Sequence, residues 1–135
     1  MVNHHGQYVA CGDMLNNDRH ILSGLVVDEI NKARQGDDME VIIEAVSSMP
    51  KQGVASTFKF GMAFGATIAI AERINCPFHM ITPRMWKKAL GLSSDKEDSL
   101  SLARNLWSDA PLSRKKDNGR AEALLLAEWG RRNLQ

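Results

Sequence analysis

Three carboxylates in this chain are candidates for one site, and two of them, Glu44 and Glu122, sit in apolar runs where a carboxylate is costly unless something accompanies it. Glu44 closes the apolar run Glu40-Val41-Ile42-Ile43-Glu44-Ala45-Val46, and Asp117 and Glu122 lie where the basic stretch Arg114-Lys115-Lys116 gives way to the apolar Ala121–Trp129. With a turn at Asp117-Asn118-Gly119 and a helix beginning near Gly119, Leu125, Leu126 and Trp129 follow Glu122 at i+3, i+4 and i+7, so Glu122 is predicted to share the apolar stripe. Glu128 has Arg131 and Arg132 at i+3 and i+4 and is predicted to face water. Carboxylates brought together from distant points repel one another unless a divalent cation neutralises them. Hard oxygen donors select Mg²⁺, with Mn²⁺ as substitute, and two such ions about 3.5–4 Å apart activate a water for phosphodiester hydrolysis. Blander roles exist for each acid: Glu44 pairing with a buried arginine, Asp117 as a helix N-cap, Glu122 meeting the positive end of a helix dipole.

The cations are arranged to complement such chemistry. Residues 1–50 hold three Lys/Arg against eight Asp/Glu, and residues 83–120 hold nine against five. The net charge of +1 therefore conceals an acidic front and a basic back suited to a polyanion, although two solvated faces would give the same count. Lys87, Lys88, Lys115, Lys116 and Arg120 are the candidates for contacts to phosphates. Trp86, between Arg84 and Lys87-Lys88, could stack on an unpaired base, but a Trp opening an amphipathic helix is more often core.

The elements that must position these groups follow from local pattern. Alternation over Gln7–Met14 predicts a strand, and Leu22, Leu25, Val26, Ile30 and Ala33 give a helical stripe within Asp18–Arg34 that Gly36 ends. Glu40–Val46 reads as a strand covered on both faces, 47–53 as a loop, and Ala55–Ile74 as a long buried helix with Gly61 and Gly65 four apart on one face. Cys76–Thr82 reads as a short strand, Pro83–Leu90 as a helix, and Ser94-Asp95-Lys96-Glu97 as the capping box of another whose buried face is Leu100, Ala103 and Trp107. This order predicts one α/β domain over 1–135 with a parallel component. Cys11 and Cys76 are isolated and expected to be reduced, and His4-His5 is expected in a surface turn. The apolar tract Gly61–Ala71 has eleven residues, short of the roughly 20 of a membrane helix, and no signal peptide pattern is seen, so a cytoplasmic protein with no membrane partner is expected. No GxGxxG or GxxxxGK[ST] loop points to an organic cofactor or nucleotide.

Glu44 on its apolar strand, Pro50-Lys51-Gln52-Gly53, Phe58-Lys59-Phe60-Gly61-Met62-Ala63-Phe64-Gly65, Thr82-Pro83-Arg84-Met85-Trp86-Lys87-Lys88 and Lys115-Lys116-Asp117-Asn118-Gly119-Arg120-Ala121-Glu122-Ala123 together resemble the RuvC-like Holliday-junction resolvases, particularly the phage-type branch, over roughly residues 7–132. The resemblance implies a ribonuclease H-like fold, a mixed sheet flanked by helices. It also implies a homodimer that cuts four-way or branched DNA in a bacterial or phage-infected cell, with Mg²⁺ held by four acids. By position Glu44, Asp117 and Glu122 match three of those acids, and Asn118 stands where much of the branch carries a histidine. Lys51 joins the DNA-binding candidates, and the Lys51–Phe60 segment is the candidate for opening the junction, since Ala45-Val46-Ser47 lacks the aromatic wedge of RuvC proteins. The opening strand with an Asp in an Asp-Pro-Gly turn has no counterpart, so the chain as given is expected to be N-terminally shortened, and Asp13 matches an acid that is not a ligand in such proteins. Two functions follow: a Mg²⁺-dependent junction endonuclease, or a catalytically silent module that binds branched DNA.

Overall fold

The computed structural model describes residues 1–47 and 51–134. The 47–53 loop therefore lies partly outside the described residues, and the motif beginning at Pro50 loses its first member. Among the described residues, five α-helices and a two-stranded parallel sheet are formed: α1 (Ser23–Arg34), β1 (Val41–Glu44), α2 (Val54–Arg73), β2 (Phe78–Ile81), α3 (Pro83–Ala89), α4 (Lys96–Leu106) and α5 (Asn118–Asn133). A single 3₁₀ turn, Lys115–Asp117, runs directly into α5. The chain packs as two compact units, Met14–Met80 and a second made of Met1–Asp13 with the residues from Ile81 onward.

In the Met14–Met80 unit, α1 packs on α2 through Val26, Val27, Ile70 and Ile74, with Ile30, Met39, Val41 and Cys76 around them. The stripe on α1 is rotated from the predicted one: Leu25 is exposed and Val27 is buried. The helix also starts five residues later than Asp18. The side chains of Asn16 and Asn17 accept hydrogen bonds from the backbone N–H groups of 18–20, and Asp18 takes φ +67°, so this polar run closes a turn instead of opening a helix. Strand β1 is not covered on both faces, since only Ile43 is buried. The long helix α2 is not buried either. Ile70 and Ala71 are its buried residues, while Val54, Phe58 and Met62 are exposed, and a Cβ added at Gly61 or Gly65 would meet nothing within 4 Å. Periodicity identified a helix there without showing which face is covered. By length and composition alone, α2 is apolar enough to cross a membrane, with one helix in the described residues meeting that test.

In the other unit the core is Trp86, Leu100, Ala103, Trp107, Leu112, Ala121, Leu124, Leu125 and Trp129, built mainly where α4 packs on α5. The N-terminal segment forms no strand. Val2 and Tyr8 make a single antiparallel bridge, and the turn between them is held by Asn3 Oδ1, which accepts from the N–H groups of His5 and Gln7. Gly6 takes φ +80° there, a conformation that favours glycine, and an added Cβ would lie 3.2 Å from Arg131 Nε, so that side chain would have to give by a few tenths of an ångström. The Gly6 carbonyl accepts from Trp107 Nε1 at 2.9 Å, which fastens the turn to the core. His4 and His5 are exposed with their rings 3.8 Å apart, as a surface turn requires. The N-cap of α4 is Asp95, one residue later than the predicted Ser94, and it accepts from Glu97 N at 2.9 Å. On this helix Leu100, Ala103 and Trp107 are all buried, as the spacing predicts. Ser99 is buried beside them with its hydroxyl unpaired among the described residues. Because an unpaired buried hydroxyl is a desolvation cost, Ser99→Ala is expected to raise stability by up to about 1–2 kcal/mol in denaturant unfolding. A loss of similar size would show that the hydroxyl is satisfied.

Candidate metal and nucleic-acid site

The head of α5 places Asp117 and Glu122 near one another in sequence but with different partners. Asp117 is only 2 % exposed, and Arg114, three residues before it, surrounds its carboxylate. The backbone N–H of Arg114 donates to Oδ2 at 2.8 Å, its Nη2 to Oδ1 at 2.7 Å, and its Nε to Oδ1 at 3.0 Å and Oδ2 at 3.3 Å. On the other side Arg120 Nη1 stands 3.9 Å from Oδ1 while its Nε and Nη2 hold Asp13 at 3.0 and 2.8 Å. The result is a line of alternating charge, Arg114, Asp117, Arg120, Asp13. Arg104 steadies the loop before it by donating to the carbonyls of Leu112 at 2.7 Å and Ser113 at 3.1 Å.

The hydrogen bonds from the Arg114 side chain, then from its backbone, hold the Asp117 carboxyl at a pKa of about 2, down from 3.8. A depressed folded-state value means stability that is complete above about pH 4 and is lost as pH falls through about 2, because the unfolded chain takes up its proton first. The gap in thermal midpoint between the parent and Asp117→Asn should therefore narrow between about pH 4 and pH 2. An undiminished gap at pH 2 would show that the contribution does not come from the ionised form.

Glu122 is half-buried and accepts from Lys87 Nζ through Oε1 at 2.6 Å. The same ammonium lies 5.2 Å from the centre of the Trp86 ring. Lys87 and Arg120, both assigned to phosphates from sequence, are therefore committed to carboxylates of the protein, whereas Lys88, Lys115 and Lys116 are exposed. Trp86 is 1 % exposed, so its ring presents no face to a base and the stacking role is withdrawn: the residue is core. Asn118 donates to the Lys115 carbonyl at 3.4 Å, tying the start of α5 to the 3₁₀ turn.

The contrast drawn between the two glutamates of α5 is reversed. Glu128 is buried at 3 % exposure, accepting from Arg131 at 2.7 Å through both oxygens and from Arg132 at 2.6 Å. The buried stripe of this helix runs through Ala121, Leu124, Leu125, Glu128 and Trp129, so Glu122 lies at its edge and Glu128 on it. Two arginines one turn away let Glu128 be buried as an ion triad, and the Arg131 hydrogen bonds lower its pKa.

In the Met14–Met80 unit Glu44 closes β1, is partly buried and engaged in an interaction, and lines a concave surface with Asn16, His20, Ile43, Lys59 and Phe64. Lys51 of the same unit is exposed at φ +68°. Among the described residues no group of three or more His, Cys, Asp or Glu is placed to hold a metal. In kind the donors of α5 do fit a hard divalent cation: both are carboxylates, Asp117 is held ionised, and Lys87 takes only one oxygen of Glu122. Arg114 was missed from sequence as the chief partner of Asp117, although its i−3 position, matched by Arg120 at i+3, was the signal available. No family model matches this chain, and no curated protein matches it.

Proposed function

We propose that this chain is a Mg²⁺-dependent, structure-selective endonuclease of the resolvase type, with a ribonuclease H-like fold, that acts on four-way or branched DNA. The observation that carries this reading is the head of α5, where two carboxylates lie within five residues of each other beside exposed Lys115 and Lys116. Through Lys87 and Glu122 the same helix is tied to α3, which exposes Arg84 and Lys88. Carboxylates beside cations turned to solvent are what metal-assisted hydrolysis of a phosphodiester requires of a protein. Asp117 and Glu122 are the ligands this unit would supply, and Glu44 is the third acid on the strength of the sequence resemblance. When bound, Mg²⁺ supplies a polarised water and neutralises charge on the scissile phosphate.

The chain's own residues divide the remaining work. Lys88, Lys115 and Lys116, with Lys51 in the other unit, hold backbone phosphates. Lys87 keeps Glu122 paired, and Arg114 does the same for Asp117. A homodimer is part of this reading, and the exposed apolar stripe Val54, Phe58 and Met62 of α2, with Gly61 and Gly65, is the surface we assign to it. The setting is the cytoplasm of a bacterial or phage-infected cell, with no membrane partner and no organic cofactor.

Phosphate contacts reveal themselves through salt. Each of Lys115→Ala and Lys116→Ala is expected to weaken junction binding and to reduce the slope of log affinity against log salt by about 1. Binding with an unchanged slope in both variants would remove these lysines from the interface.

A second reading, a DNA-binding module without catalysis, is favoured by one specific observation: Arg114 occupies both oxygens of Asp117. Cleavage assays on a four-way junction with Mg²⁺ separate the two, since the module binds and does not cut.

A further inference from the structure

The side chain that keeps Asp117 occupied is itself half exposed, with 50 % of its surface reachable by solvent, whereas Asp117 is buried. Arg114 also opens the run Arg114-Lys115-Lys116, whose other two members are exposed cations. A guanidinium carries five N–H donors in a planar fork and binds a phosphate in the same two-point manner as a carboxylate. Moving Arg114 from Asp117 to a phosphate therefore exchanges one charge-assisted pair for another. Asp117, however, cannot be left behind alone, because a buried carboxylate stripped of its cation is strongly unfavourable. Arg120 does not make up the loss: its Nη1 is 3.9 Å away and its Nε and Nη2 are spent on Asp13. A second cation must arrive as Arg114 leaves.

We propose that Arg114 is an internal counter-ion that makes divalent-metal binding at Asp117 depend on phosphate binding: the guanidinium blocks Asp117 in the DNA-free protein and transfers to a backbone phosphate when branched DNA docks. This rests on the reading of Asp117 as a metal ligand and adds how that ligand is released. Nucleic acid and metal then bind with positive coupling, and by linkage each strengthens the other by the same factor. Lys87 on Glu122 differs, since its ammonium is half-buried against Trp86 and is placed to stay with the protein.

The test uses the full chain and Mn²⁺ as probe, with free Mn²⁺ followed by electron paramagnetic resonance and no DNA present. Arg114→Gln is expected to bind Mn²⁺ at least about tenfold more tightly than the parent, the scale of one charge-assisted hydrogen bond given up. Adding Asp117→Asn to that variant should abolish the gain. Arg114→Lys, which keeps the charge and loses the fork, should gain a few-fold and serves if Arg114→Gln does not fold. At constant ionic strength, Ca²⁺ should tighten junction binding by the parent and do so less in Arg114→Gln, as measured by fluorescence anisotropy. Mn²⁺ binding by Arg114→Gln and Arg114→Lys equal to that of the parent, or equal Ca²⁺ dependence in parent and variant, overturns the role of Arg114 and leaves the metal site standing. Absence of Mn²⁺ binding in the parent and in every variant overturns the metal site itself, and this inference with it.

Discussion

Replacing Trp86 by alanine is expected to cost about 3–5 kcal/mol of unfolding free energy, the range for deleting a fully buried large aromatic. Trp86 is the largest of the fully buried side chains, it belongs to the helix α3 that packs on α5, and Lys87 Nζ lies 5.2 Å from the centre of its ring. For a domain whose total stability is commonly 5–15 kcal/mol, such a loss removes a large part of it. Trp86→Phe keeps most of the volume and isolates the second question, whether the ring also contacts DNA. Because the ring is covered, junction affinity of Trp86→Phe should stay within about twofold of the parent, whereas a stacked base would be worth about 1–3 kcal/mol. Urea unfolding of both variants and one binding isotherm decide the matter. A stable alanine variant with impaired binding would return Trp86 to the interface.

Glu122→Gln is expected to reduce Mg²⁺-dependent cleavage of a synthetic four-way junction by about 10²–10³-fold, the usual consequence of losing one charged group that stabilises the transition state. The substitution keeps the shape and can still accept from Lys87, so the structural cost should stay near 1 kcal/mol for a partly exposed pair. Junction affinity in EDTA should change by no more than a few-fold. Rate lost with fold and binding retained identifies a catalytic carboxylate, and cleavage at the parental rate would reduce Glu122 to a partner for Lys87.

Much of this architecture was legible from local signals. The capping run near Asp95, Pro83 at the first turn of α3, and the spacing of Leu100, Ala103 and Trp107 located elements to within a residue or two, because those signals act within one or two helical turns. What failed depended on partners elsewhere. Residues 7–14 alternate like a strand, yet a strand needs a neighbour, and this segment meets residues 1–2 through one isolated bridge, Val2 with Tyr8, and hydrogen bonds of Val9 and Ala10 with Met1. Helix α2 was rightly placed and wrongly buried, since periodicity shows an apolar face and not what covers it. The two glutamates of α5 were exchanged because a register counted from Glu122 instead of Ala121 shifts the stripe by one residue, and one residue on a helix is about 100°. For Asp117, the sequence indicated a turn and an N-cap beside a run of cations, and its burial came only with the structure. Its partner was not foreseen, because the side chains at i−3 and i+3 both carry guanidinium groups and the backbone conformation at Arg114 decides which of them closes around it.

The most direct measurement incubates the parent protein with a synthetic four-way junction in Mg²⁺ and in EDTA, with Glu44→Gln alongside. Cutting is expected only with Mg²⁺, with binding but no cutting in EDTA, and binding without cutting by Glu44→Gln under both conditions. A junction that is bound by the parent and left intact in Mg²⁺ would contradict the endonuclease reading and leave the DNA-binding module in its place.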